Sequence, residues 1–103
     1  MKVFIGYFLN LAKIITMSLD QNFEQAQLDV KTLTSRPGDM QLLDLYAYFK
    51  QATEGDNDTS KPGMFDMKGQ FKWKAWKEKE GLSKDEAKQK YIDLVNSLLA
   101  TNK

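Results

Sequence analysis

The chain has 103 residues, with 15 basic and 14 acidic side chains and a net charge of +1. This describes one small domain without the strong positive field of a general nucleic-acid binder. It contains no cysteine and no histidine. Disulfide scaffolds, thiolate chemistry, Ser-His-Asp and Cys-His catalysis and histidine metal sites are therefore excluded, and an enzyme would have to work with Asp, Glu, Lys and Tyr.

Residues 1–17 are mostly apolar and carry no acidic side chain. The stretch is shorter than the about 20 residues a membrane helix needs, and Asn10 and Lys13 interrupt it. Lys2, Gly6, Asn10 and Lys13 recur at helical spacing, opposite Phe4, Phe8, Leu11 and Ile15. Three readings stand. The segment is a signal-like leader with a small-residue site near Ala12, an amphipathic helix for a membrane or a protein groove, or an inert extension. The last reading rests on Met17-Ser18, which would serve as a start for the domain, and the last two are favoured over a cleaved signal. Without Lys2 and Lys13 the 15 basic residues fall to 13, against 14 acidic ones.

A first helix is predicted over residues 20–34. Phe23, Ala26, Val30 and Leu33 recur at steps of three and four, Asp20 is placed to cap its start, and Ser35-Arg-Pro-Gly38 ends it. Asp39 is expected to cap a second helix with a stripe of Leu42, Leu45, Tyr46 and Phe49, flanked by Leu43 and Ala47. Lys50 follows Tyr46 by four residues, so the two side chains are neighbours, and Gly55 stops the helix. The polar connection to Gly63 is long for a helix–helix link, which often signals function, but its acidic content argues against a phosphate cradle.

A third helix is expected from Asp66 to Lys79, with Trp73 and Trp76 on one side and Lys68 and Lys72 together on a face. Gly81 closes it. Ser83 and Glu86 have the spacing of a capping box, and a fourth helix follows to about Ala100 with a stripe of Ala87, Tyr91, Leu94, Val95, Leu98 and Leu99. No strand shows clean alternation, so the fold class is an all-α bundle of four helices.

Trp73 and Trp76 suit a stacking platform, but a tryptophan pair in so small a bundle is more often core. Lysines 50, 68 and 72 are by default solvated. Their position beside aromatic residues on two helices suits another role, since an apolar groove rimmed by lysine fits an amphiphilic anion.

At Leu45-Tyr-Ala-Tyr-Phe-Lys-Gln-Ala-Thr-Glu-Gly-Asp56 and Lys61-Pro-Gly-Met-Phe-Asp-Met-Lys-Gly-Gln-Phe-Lys-Trp-Lys-Ala-Trp76, the chain resembles the acyl-CoA-binding protein family. The match runs ungapped over roughly residues 19–103, and Tyr91-Ile92 also fits. The resemblance implies an up-down-down-up four-helix bundle over residues 18–103. It further implies a non-catalytic, cofactor-free, monomeric binder that buffers and transports medium- to long-chain acyl-CoA in the cytoplasm. Residues 1–17, as a leader or a transient membrane or groove contact, would alter that compartment.

By the same resemblance, Lys50 bears on the ribose 3′-phosphate, and Tyr46, Lys72 and Tyr91 hold adenine and phosphates. Lys31 and Lys68 also contact the nucleotide, and Leu42 and Leu43 lie near the acyl chain. Ala47, Tyr48 and Phe49 belong to the same binding segment. The chain departs from the family at Phe49, where tyrosine is usual, and at Gln70-Phe71, where Lys-Ala is common. The rival reading is a helical protein-interaction module that binds no thioester.

Overall fold

The computed structural model describes residues 17–101, so the expectations for residues 1–16 lie outside the described residues. Among the described residues there are four α-helices: α1 (Leu19–Asp29), α2 (Asp39–Glu54), α3 (Met67–Lys77) and α4 (Lys84–Thr101). A 3₁₀ turn, Val30–Thr32, continues α1. No strand occurs among the described residues.

The helix caps differ from expectation at two places. Ser18, not Asp20, caps α1. Its hydroxyl accepts from Gln21 N at 3.1 Å while Gln21 Oε1 accepts from Ser18 N at 2.9 Å, a reciprocal box. Asp20 instead lies in the first turn and accepts from Lys88 Nζ at 2.6 Å. At α2 the cap is Gly38, in extended conformation, and its N–H donates to Gln41 Oε1 at 2.9 Å. Asp39 is the first helical residue, and its carboxylate pairs with Arg36 at 3.0 Å. Asp66 caps α3 by accepting from Gly69 N at 2.9 Å, and Ser83 Oγ accepts from Glu86 N at 3.0 Å ahead of α4.

Helix directions follow from end-to-end contacts. The Lys88–Asp20 bond joins the N-terminal halves of α1 and α4. Leu33, just past α1, shares a crevice with Leu98 and Thr101 at the far end of α4. These two helices therefore run the same way. Gln51 near the end of α2 donates to the carbonyl of Leu82, just ahead of α4, at 2.9 Å, so α2 runs opposite to α4. Trp76 near the end of α3 donates to the carbonyl of Gly55, just past α2, at 2.9 Å. Asp39 and Met40 at the start of α2 line one cleft with Lys68 at the start of α3. Helices α2 and α3 are thus parallel, and the order is up-down-down-up.

Parallel neighbours need a long return connection, and residues 55–66 supply it. Asn57, 1% exposed, donates to Trp73 O at 3.1 Å and accepts from both the N–H and the hydroxyl of Thr59. Trp73 Nε1 donates to Thr59 O at 3.0 Å, and Gln70 Nε2 donates to Gly63 O at 2.8 Å. Asp56 accepts from Gln51 Nε2 at 2.7 Å and from Gly81 N at 2.9 Å, tying the loop to the α3–α4 turn. Gly55 and Gly81 hold φ of +83° and +95°, values that a side chain would strain. The connection's length serves this framework.

The core lies where α4 packs on α1 and α2. Phe23, Leu45, Tyr91, Val95 and Leu98 fill it, and Ala26, Ala52 and Ala87 permit close approach. Phe23 stacks on Phe49 at 6.0 Å and meets Tyr91 edge-on at 5.2 Å. Each such large side chain contributes about 1.5–3 kcal/mol on burial, so this aromatic group fixes α1 against the face of α2 that also carries Tyr46.

Candidate functional site

The outward stripe of α2 separates two open cavities. The first, about 570 Å³, lies between the end of α1 and α2, with Val30, Leu33, Pro37, Leu45, Phe49 and Tyr91 among its walls. The second, about 660 Å³, lies between the parallel helices, with Asp39, Met40, Leu43, Lys68, Phe71 and Lys72 among its walls. Arg36, Leu42 and Tyr46 line both, so the two cavities meet along a shared ridge.

The second cavity is apolar at its floor and cationic at its edge. Leu42 and Leu43 supply the floor; Lys68, Lys72 and Arg36 supply the charge. Lys72 Nζ stands 5.3 Å from the centre of the Tyr46 ring, a cation–π contact worth about 0.5–2 kcal/mol depending on water exclusion. Among the described residues, Lys68 and Lys72 have no acidic partner, whereas Lys50, Lys77, Lys79 and Lys88 are each paired with a carboxylate. Arg36 pairs only with Asp39, at the surface. Among the described residues, Lys68 and Lys72 therefore offer the cleft cationic hydrogen-bond donors with no carboxylate partner, while Asp39, also on its wall, pairs with Arg36.

In the first cavity Tyr91 is 6% exposed, and burial pushes its phenol above the ordinary value of 10.0. It stands as a neutral hydroxyl at physiological pH. Phe49 is half-buried between Phe23 and Tyr91, so its ring serves core and cavity together.

The structure thus brings together Leu42, Leu43, Tyr46, Phe49, Lys68, Lys72 and Tyr91 of the expected set. Four other residues lie off the cavity walls. Lys50 sits over the Trp76 ring at 4.8 Å and pairs with Glu54. Lys31 is exposed in the 3₁₀ turn. Ala47 is fully buried. Tyr48 lies under Lys79, whose ammonium is 4.4 Å from its ring and also pairs with Asp44. Trp76 is core; Trp73 is half-buried, and its indole N–H is spent on the loop.

Sequence reasoning missed Arg36 and Met40 as lining residues, whereas Phe71 stood out there as a large side chain on the binding helix with a bearing on chain length. Arg36 was hidden within a helix-ending Ser-Arg-Pro-Gly run. Met40 stands three residues before Leu43, and Phe71 three after Lys68, so helical spacing carried the signal for both.

This geometry has close relatives. The family model for acyl CoA binding protein matches residues 20–95. The chain belongs to the acyl-CoA-binding protein family. It is 56% identical over 79 residues to acyl-CoA-binding protein homolog 1 of Caenorhabditis elegans, which covers 77% of this chain and 92% of that one. It is 46% identical over 82 residues to the acyl-CoA-binding protein of Saccharomyces cerevisiae, covering 80% and 94%. Among solved structures, acyl-CoA-binding protein 2 of Oryza sativa superposes with a TM-score of 0.78 at 42% identity, covering 81% of this chain and 92% of that one. Within the Lys-Gln-Ala-Thr-Glu-Gly-Asp run, Gln51, Gly55 and Asp56 hold the return connection.

Proposed function

We propose that this chain binds medium- to long-chain acyl-CoA thioesters without covalent chemistry, one per molecule, and so buffers and carries them in the cytoplasm. The observation that carries this reading is the pair of cavities meeting at Leu42 and Tyr46, with unpaired Lys68 and Lys72 beside an apolar floor. An acyl tail lies on Leu42 and Leu43. The nucleotide meets Tyr46, Phe49, Lys72 and Tyr91, with Lys31 and Lys68 as further cations. Lys50 reaches the 3′-phosphate by leaving Glu54. Ala47 and Tyr48 shape the binding helix from behind.

Magnitudes explain why both halves of the ligand are needed. Covering ten methylenes yields roughly 8 kcal/mol at most before the costs of association. A hydrogen bond to a charged group adds about 1.5–3 kcal/mol where water is excluded. Nanomolar affinity needs about 12 kcal/mol, which neither term reaches alone. Residues 1–17 are proposed to make transient membrane or groove contacts, leaving the domain monomeric.

Thermal melting with palmitoyl-CoA tests the reading. Ligand at a hundredfold over its dissociation constant stabilises by about 2.7 kcal/mol. For a domain of this size that raises the melting temperature by roughly 10 °C or more. A protein-interaction module would show no rise. Release of free fatty acid during incubation would overturn the non-catalytic part.

A further inference from the structure

We propose that Phe71 and Met40 form two lips over the far end of the α2–α3 cleft and set the acyl-chain length the protein favours; this rests on the acyl-CoA reading above. Phe71 is 56% exposed and Met40 73% exposed, yet both line the cleft, one from each of its parallel helices. Neither belongs to the packed core; Met40 borders the cleft and water, and Phe71 stands between the cleft and a smaller crevice that it shares with Met67 and Trp73. A tail leaving the Leu42–Leu43 floor passes between them.

Their chemistries are complementary. Phe71 is flanked along α3 by Lys68, one turn before, and by Lys72, so its ring stands on the cationic wall and extends that wall with apolar area. The ring is rigid and defines where cover ends. Met40 has a flexible thioether side chain that follows the tail's surface. Met64, Phe65 and Met67 are also exposed but do not line the cleft, which singles out Phe71 on its helix. A smaller side chain at position 71 would leave the same floor without its outer wall, and only tails long enough to reach that wall would lose cover.

The test titrates the full chain and Phe71→Ala with octanoyl-, lauroyl- and palmitoyl-CoA by calorimetry. Each covered methylene strengthens binding by about fourfold at most. The expected result is octanoyl-CoA affinity unchanged within about twofold and palmitoyl-CoA affinity reduced by about tenfold or more, as cover of two or more methylenes is lost. Phe71→Leu restores most of the loss, and Met40→Ala repeats the length-selective pattern. An unchanged melting temperature without ligand shows that the fold survives, as expected for a side chain outside the core. An equal loss at every length, or no change, overturns the role of Phe71 and leaves acyl-CoA binding standing. Failure of the unaltered chain to bind any thioester overturns both.

Discussion

Trp76 Nε1 donates to the carbonyl oxygen of Gly55 at 2.9 Å, and this bond helps to hold the C-terminal ends of α2 and α3 side by side. The cleft depends on that pairing, because its walls are the opposite ends of the same two helices. Trp76 is 5% exposed and its ring also supports Lys50. Trp76→Phe keeps most of the apolar volume but orphans the Gly55 carbonyl. A loss of about 1–3 kcal/mol in urea unfolding is expected, together with weaker palmitoyl-CoA binding from a less fixed cleft.

Lys50 is held by Glu54 and by the Trp76 ring on the flank of α2, one turn beyond Tyr46. A phosphate must compete with Glu54 for it. Lys50→Ala is expected to weaken palmitoyl-CoA binding more than about tenfold, the loss of a charge-assisted bond. Stability should change by less than about 1 kcal/mol, since the pair is partly exposed. Glu54→Gln removes the competitor and should tighten binding by about two- to fivefold, consistent with a surface pair worth under about 1 kcal/mol. Calorimetry of both variants checks this; opposite signs are the expected outcome.

Asp56 accepts from the Gly81 N–H and the Gln51 amide, which hold its carboxyl below the ordinary 3.8 despite some opposing desolvation. A folded value below the unfolded one means the native state binds the proton less tightly. The contribution is present above about pH 3.8 and is lost as pH falls through the folded value. Asp56→Asn should therefore lower stability at neutral pH and flatten the acid limb of a melting-temperature profile.

Tyr91 has the reverse linkage. Burial raises its folded value above the ordinary 10.0, so the native state holds the proton more tightly. Stability should fall as pH climbs past 10.0, and Tyr91→Phe should lose that alkaline decline. The same variant keeps the ring against Phe23 but removes a hydroxyl from the first cavity, so acyl-CoA affinity should drop with little loss of stability.

The helices were legible because Phe23–Ala26 and Leu42–Leu45–Tyr46–Phe49 repeat at the period of a buried helix face. Caps were less so. Ser18 and Asp20 are both good cap residues, and only the reciprocal bond with Gln21 decides between them. The polar framework was least legible. Gln51 and Asn57 are almost fully buried, with bonds to Leu82 and Trp73 that lie 31 and 16 residues away. No local pattern encodes such pairs, so the loop's part as a brace was not legible. The cleft was legible in its lysines and leucines, but Arg36 enters it only through the turn that places it.

The most direct measurement is a calorimetric titration of the full chain with palmitoyl-CoA, free CoA and palmitate. Tight one-to-one binding of the thioester, with each fragment far weaker, is the predicted result. Equal affinity for palmitate and the thioester would contradict the account, because the ridge at Leu42 and Tyr46 would then be joining nothing.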